Sequence, residues 1–527
     1  MWLGKTSRVV CSVTEGAAFL AGEIALWAAA NFTNEDFRVT RALVACQELA
    51  NHDPSADGVR VPTSVGSFAA RKSPTKVGTL TPANEARVII RPAKRIYGSM
   101  PVSGDKSISH RAAIIAAIAN GACRISNYST SADCASTISC LRQLGVHIEQ
   151  INSEVIIHGV GLNGLRAPES ELDCGNSGTT MRLLAGILAG QDFVSTLTGD
   201  ASLRARPMQR IIEPLEMMGA DVSANDGRAP LTIHGRKNLK PIDYELLVAS
   251  AQVKSCVLLA GLNAQGKTTV VENEVTRDHT ERMLQLFGAR VETGKPDREP
   301  ANARFASVEG AAQLHAGEVD VPGDISSAAY FIAAAALLPD SSLEIVDVGL
   351  NPTRSLILDV LQRIGCNIVA DNPRVQSNEP RGNVRVLGRD AQTLPQTDKA
   401  FRIDGLAIPA LIDELPLLAV IGSQLSSGIE IRDAKELRVK ESDRISATAQ
   451  NLRAMGADVE EFEDGLRVGG STKLRGGKID PRSDHRIAMA FAIAGLLADG
   501  KTEIADAECV TVSFPEFFEL LESVIER

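Results

Sequence analysis

Two phrases of apolar and polar positions recur along the chain. The first is Leu-x-x-apolar-Gly-small, followed by an alternating stretch. It occurs as LRQLGVHIE from Leu141, LEMMGADVS from Leu215, LQLFGARVE from Leu284, LQRIGCNIV from Leu361 and LRAMGADVE from Leu452. Glycine adopts the left-handed conformation at least cost, so each phrase predicts a helix closed by Gly and followed by a strand. The second phrase is a polar start rich in Gly, Ser and Asp that runs into a nearly all-apolar stretch. Its examples are GDKSISHRAAIIAAIANG, GNSGTTMRLLAGILAG, ASAQVKSCVLLAGLNAQG, GDISSAAYFIAAAALLP, IDELPLLAVIGS and SDHRIAMAFAIAGLLADG. A helix apolar on every face must be buried, and Ser, Thr or Asp at its start is a good N-cap.

The interval between repeats, roughly 70–90 residues, is longer than that of solenoids. It suits a compact βαβαββ unit with one buried and one amphipathic helix, and hence an α/β protein. Six such units are predicted, three before about residue 320 and three after, with AGEVDVPGDISSA (Ala316 to Ala328) as the junction of two similar halves. The residues ahead of the repeats have a different texture. From about Asn51 to Asn84 they are rich in Ser, Pro, Thr and Gly without sustained periodicity, which predicts a loose extension over 1–87. Residues 16–33 are expected to form one helix. Glu15, Glu23, Glu35 and Asp36 argue against a transit peptide, and Glu23 interrupts the nearest candidate membrane span.

Composition narrows the functional classes. Net charge is −10, which gives no support to a nucleic-acid or polybasic membrane role, so an anionic substrate must be met by local Lys/Arg clusters. Nine scattered cysteines, with no C-x-x-C pair and no zinc-type spacing, read as reduced thiols of a cytosol-like compartment.

The candidate chemistry gathers at the helix starts. The first offers Lys106, Ser107 and Arg111. The second offers Asn176, Ser177, Thr179, Thr180 and Arg182, with Arg204 and Arg206 following in GDASLRARP. The third offers Ser250, Gln252 and Lys254, and TRDHTER adds Arg277, Asp278 and His279. After the junction come Asp413 and Glu414, then Lys440, Glu441 and Arg444, then His485 and Arg486. Arg and Lys suit phosphate and carboxylate, Ser, Thr and Asn add neutral donors, and the acids supply general acid/base groups. If the starts converge on one cleft, their dipoles reinforce its attraction for anions. A substrate with more than one anionic group is expected. GNSGTT lacks the Lys of a phosphate-binding P-loop, and no dinucleotide fingerprint follows a strand.

From about residue 88 to 527 the chain resembles the 5-enolpyruvylshikimate-3-phosphate (EPSP) synthase family. The resemblance rests on GDKSISHRA, GNSGTTMR, RARPM, SAQVKS, RDHTE, NPTR, KESDR and DHRIAMA in family order. SAQVK, RDHTE and NPTR look like its class II branch. The resemblance implies a two-domain inside-out α/β barrel of the enolpyruvyl transferase type, with six βαβαββ repeats, three per domain. The domains would be 104–320 and 88–103 plus 321–527, with the active site in the cleft between them. It also implies transfer of the enolpyruvyl group of phosphoenolpyruvate to the 5-hydroxyl of shikimate 3-phosphate, without metal or organic cofactor, by a cytoplasmic monomer inhibited by glyphosate.

By position, Lys106, Ser107, Arg111, Ser250, Ala251, Gln252, Arg277, Asp413 and Lys440 resemble the shikimate 3-phosphate contacts. Lys106, Asn176, Gly178, Thr179, Arg206, Gln252, Arg444 and Arg486 resemble the phosphoenolpyruvate site. Asp413 matches the residue beside the attacking hydroxyl, Glu441 the proton donor to the methylene carbon, and Lys106 a further proton-transfer group. Ser109 and His110 receive no catalytic role. Two departures stand out. Val512 falls where many relatives carry Lys, and Gly178 is typical of herbicide-sensitive enzymes although the class II look points to tolerance. The sister transferase acting on UDP-N-acetylglucosamine carries a reactive Cys where this chain has Ala201. A non-catalytic anion-binding module would be expected to lose part of the set Asp413, Glu441 and Lys106.

Overall fold

The computed structural model describes residues 87–297, 300–388 and 398–527. The helix expected over 16–33 and the polar stretch after it lie outside the described residues.

The five glycine phrases all end helices. Gly145, Gly219, Gly288, Gly365 and Gly456 have φ of 87°, 97°, 90°, 94° and 92°. In each case the N–H after the glycine donates to the carbonyl of the leucine that opens the phrase. The pairs are Val146 to Leu141 at 3.1 Å, Ala220 to Leu215 at 3.0 Å, Ala289 to Leu284 at 2.9 Å, Cys366 to Leu361 at 2.9 Å and Ala457 to Leu452 at 3.0 Å. This closure satisfies carbonyls that a helix end otherwise leaves open, and it aims the chain into the next strand.

The apolar runs form six buried helices: Lys106–Ala117, Gly178–Ala189, Ala251–Gly261, Ile325–Leu337, Leu415–Gly422 and His485–Leu497. Five begin on a side-chain cap, from Asp105, Ser177, Ser250, Asp324 and Asp484. Six amphipathic helices alternate with them: Ala132–Gln143, Gln209–Met217, His279–Leu286, Leu356–Arg363, Arg444–Ala454 and Phe517–Val524.

The strands form six sheets around these helices, and five share one pattern. Lys267–Glu272, for example, pairs in parallel with Asp243–Glu245 and antiparallel with Arg304–Glu309, which pairs antiparallel with Val291–Gly294. The strand Glu318–Asp320 comes last in the first three units yet pairs in parallel with Asn120–Ser126, closing the first sheet. Val88–Ile90 completes the sixth sheet against Thr502–Ile504, and Arg95–Pro101 opens the fourth against Ser342–Gly349. The all-apolar helices pack on one another inside and the sheets lie outside. This is the inside-out arrangement expected, because only a helix without a polar face can be enclosed on all sides.

Two crossover segments join the halves side by side. Gly104 bridges Gly323, Asp105 N–H donates to Pro322 O at 2.8 Å, and Asp324 N–H donates to Ser103 O at 2.9 Å. Asp105 and Asp324 cap the two helices that leave this junction. Their carboxylates converge on buried Arg354, at 3.1 and 3.2 Å, and Arg354 also donates to Ser326 Oγ at 2.7 Å.

Two consequences are measurable. A Cβ at Gly456 would meet nothing within 4 Å, so Gly456→Ala is strained only in its backbone and is expected to cost about 1–2 kcal/mol in urea unfolding. Arg354→Met strands two buried carboxylates and is expected to cost about 3–5 kcal/mol. A midpoint equal to the parent's for Arg354→Met would refute the role assigned to that arginine.

Candidate active site

The starts of the buried helices do converge, and they bring opposite charges together. Lys106, the first residue of its helix, places Nζ 2.8 Å from Asp133 Oδ2, and its backbone N–H donates to Asp324 Oδ2 at 3.2 Å. Ser107 accepts from Arg277 Nη1 at 3.3 Å, and the other end of that guanidinium is paired with Asp413. Asp413 also faces Arg444 at 3.4 Å and Arg486 at 3.8 Å. Arg444 is 1% exposed. It holds Asp484 through Nε at 2.8 Å and Glu441 through Nη2 at 2.7 Å. Asp484 therefore caps one helix while fixing the arginine that opens another. On the opposite wall Arg206 donates to Asn176 Oδ1 at 2.7 Å and to Glu441 Oε1 at 3.4 Å. Gln252 donates to Thr179 Oγ1 at 2.9 Å and accepts from Arg182. Ser250 caps the helix that Ala251 opens. Gly178 lies under the cations: a Cβ there would stand 2.7 Å from Arg182 Nη1 and 3.4 Å from Arg206 Nη1.

This concentration of charge sets the protonation of the acids. Burial raises the Asp413 carboxyl, but Arg277, Arg486 and Arg444 outweigh it and hold it well below the usual carboxylate range. Burial likewise raises Glu441, and the charges of Arg444, Arg206 and Lys106 reverse the sign. Both acids are carboxylates near neutral pH. Burial lowers Lys440 against the pull of Asp413, Glu436 and Glu441. Burial and the neighbouring Lys106 charge push His485 well below its ordinary value, so it is neutral, and its Nδ1 is buried without a partner. The arrangement can bind two anionic groups and offer carboxylates on either side of them.

Not every residue singled out in the sequence joins this cluster. Lys254 is turned inward, 3.0 and 2.8 Å from the buried Glu272 and Glu281. His279 pairs with Glu379 at 2.7 Å, and Asp278 accepts from Asn351 and Arg282. Arg204 is exposed. Arg111 sits behind the site, donating to Thr280 Oγ1 at 2.7 Å, Ser255 Oγ at 2.9 Å and Ser107 O at 2.9 Å, and burial pulls it down to about 10. Ser109 and His110 are buried, with His110 Nδ1 2.7 Å from Thr137 Oγ1. Val512 brings no charge. Ala201 opens the short helix Ala201–Ala205, and the seven cysteines among the described residues are buried. The sequence reading missed Asp133, the partner of Lys106, and Glu436, which binds Arg210 at 2.8 and 3.1 Å. An acid in the first turn of an amphipathic helix was the available signal for Asp133.

Comparison with known proteins matches residues 90–521 to the family EPSP synthase (3-phosphoshikimate 1-carboxyvinyltransferase). The chain belongs to the EPSP synthase family. It is 52% identical over 441 residues to the 3-phosphoshikimate 1-carboxyvinyltransferase of Koribacter versatilis (strain Ellin345), covering 84% of this chain and 99% of the relative. It is 48% identical over 441 residues to the protein of that name from Desulforamulus reducens, covering 83% of this chain and 99% of the relative. The solved EPSP synthase of Acinetobacter baumannii superposes with a TM-score of 0.72 at 41% identity, over 84% of this chain and 98% of that one. The enolpyruvyl transferase NikO of Streptomyces tendae shares the fold, with a TM-score of 0.66 at 19% identity over 84% of this chain and 98% of that one. The two-domain enolpyruvyl transferase fold expected from the sequence is thereby established, and among the described residues no single helix is long and apolar enough to cross a membrane.

The depressed carboxylates make stability depend on acid. A group whose folded pKa is lowered stabilises the fold above its unfolded value, about 4 for these residues, and loses that contribution as pH falls through the folded value. Replacing Asp413 by Asn and Glu441 by Gln is expected to flatten the loss of stability over the acid range below about pH 4. Denaturation midpoints read across that range check it, and an unchanged slope contradicts it.

Proposed function

We propose that this chain is an enzyme that transfers the enolpyruvyl group of phosphoenolpyruvate to the 5-hydroxyl of shikimate 3-phosphate. The products are 5-enolpyruvylshikimate 3-phosphate and phosphate, on the shikimate route to chorismate and the aromatic amino acids. The observation that carries the reading is the pair of carboxylates, Asp413 and Glu441, held in one cluster with Lys106, Arg206, Arg277, Arg444 and Arg486. Lys106, Arg206 and Arg277 come from residues 104–320 and the rest from 321–527. These two halves, the second extended by 88–103, act as domains that close over the substrates.

Shikimate 3-phosphate is read onto Lys106, Ser107, Arg111, Ser250, Ala251, Gln252, Arg277, Asp413 and Lys440. Arg111 serves from behind, by fixing the Ser107 turn. Phosphoenolpyruvate is read onto Lys106, Arg206, Arg444 and Arg486, with Asn176, Gly178, Thr179 and Gln252 beneath. The 5-hydroxyl gives its proton towards Asp413 as its oxygen bonds to C2. The double bond takes a proton from Glu441 at C3. The tetrahedral adduct then returns a C3 proton to the Glu441 carboxylate, re-forms the double bond and expels phosphate with the C2–O electron pair onto the cations, and the departing phosphate takes up the proton held at Asp413. The sum balances with protons alone.

Glu441 is ionised among its arginines, so it needs a reason to hold a proton. The anions of phosphoenolpyruvate neutralise Arg206, Arg444 and Lys106, the charges that depress it, and burial then raises its pKa. Substrate binding thus makes the acid. Lack of charge at Val512 leaves four cations for the clamp. Gly178 keeps the space a methyl would take from Arg182 and Arg206, which favours sensitivity to glyphosate over tolerance. Both halves of the site come from one chain, which supports a monomer, and scattered buried cysteines without C-x-x-C spacing support a cytoplasmic location.

Phosphate release is expected only when both substrates are present. Release with UDP-N-acetylglucosamine in place of shikimate 3-phosphate, or with neither acceptor, would overturn the reading. Lys106→Ala is expected to abolish turnover in a folded protein. Glu441→Gln should lower kcat about 10²–10⁴-fold and remove the decline of kcat on its alkaline side, where the parent's acid loses its proton.

A further inference from the structure

The outer hairpin of the first sheet carries a cluster that the transfer reaction does not use. Strand His147–Ile151 lies at the edge of its sheet and pairs antiparallel with Glu154–Val160. The register sets His147 directly opposite His158, and Glu149 follows two residues along the same strand. Strand residues two apart share a face. The apolar residues Ile148, Val155 and Ile157 are buried, so the three polar side chains stand together on the solvent face.

The imidazole centroids are 4.8 Å apart. Glu149 Oε1 lies 2.8 Å from His158 Nε2 and 3.6 Å from His147 Nε2. One ligand atom from each residue falls within 4.8 Å of the other two. We propose that His147, Glu149 and His158 form a surface binding site for a borderline divalent transition cation, with Zn²⁺ as the representative.

The donor set selects this class. Two imidazole nitrogens and one carboxylate oxygen suit zinc, copper or nickel, whereas magnesium and calcium prefer oxygen ligands throughout. Three protein ligands leave a position for water, as in open zinc sites. Tetrahedral metal–ligand bonds of about 2.0–2.1 Å set ligand atoms about 3.3 Å apart, so the three side chains must readjust, with Glu149 Oε1 and His158 Nε2 moving apart from 2.8 Å. The side chains are 72%, 55% and 43% exposed, so they have room to do so without disturbing the core. Both histidines are on paired strands, so the sheet has already fixed their separation, and little further ordering opposes binding. The signal was hidden in sequence because eleven positions separate the histidines and only the hairpin register brings them opposite each other. A bound ion would staple the edge strand to its neighbour and stabilise the folded chain by mass action. None of the three residues belongs to the cleft.

The test uses the full chain stripped of metal and titrated with Zn²⁺ alone by calorimetry, with Mg²⁺ as the contrasting ion. Zn²⁺ is expected to bind and to raise the thermal midpoint, and Mg²⁺ to do neither. The double substitution His147→Ala with His158→Ala should weaken that binding at least tenfold and remove the thermal shift, while phosphate release stays at the parent's rate. Glu149→Gln should weaken binding by a smaller factor. The chain also holds Cys11, Cys46 and His52, so each variant is read against the parent. Equal Zn²⁺ affinity and stoichiometry in parent and double variant would overturn the proposal, as would Mg²⁺ binding that those substitutions remove.

Discussion

The structure of the cleft depends on Arg444, a buried cation shared by three carboxylates. Asp484 anchors its Nε end, Glu441 takes one terminal nitrogen and Asp413 faces the other. A guanidinium suits this position because its donors lie in one rigid plane and its charge is not lost on burial. Removing it would leave carboxylates uncompensated in a place that water reaches poorly. The arginine also draws together residues from two successive repeats, because Asp484 caps one buried helix and Arg444 opens the amphipathic helix of the repeat before it. The architecture and the chemistry are joined at that contact.

The same logic runs through the fold. A fully apolar helix must be enclosed, so its polar groups can gather only at its ends. Such helices, set inside a shell of sheets, bring capping residues such as Asp105, Asp324 and Asp484 and cations such as Lys106 and Arg486 to the place where the two halves meet. The junction itself uses the device once more: Asp105 and Asp324, each a cap, share Arg354. Placing Lys106 one residue after such a cap ties the position of a reacting group to the packing of the core.

The repeat architecture was legible because it rests on local rules. A glycine at the end of a leucine phrase reads as a left-handed cap, and an apolar run after Ser or Asp reads as a buried helix start. The division of charged residues between site and scaffold was less legible. Lys254 and Lys106 occupy similar places at helix starts, yet Lys254 is drawn into the core by Glu272 and Glu281, while Lys106 reaches Asp133 beside the cleft. Arg111 looked like a substrate ligand and is bound mainly by Thr280, Ser255 and the Ser107 carbonyl. Residue type names the chemistry, but the partner decides the role. Those partners come from distant segments: Asp133 from the next helix, Asp484 forty positions after Arg444, and Glu436 226 positions after Arg210.

The central claim is that the cations which bind substrate also govern the acid that protonates it. The most direct measurement is the ionisation of the Glu441 carboxyl, followed by infrared difference spectroscopy against Glu441→Gln. It is read in the free protein and again with shikimate 3-phosphate and a non-reacting phosphoenolpyruvate analogue. The account predicts a carboxylate well below the usual range when free and a marked upward shift when both ligands are bound. A pKa unmoved by the ligands would contradict it.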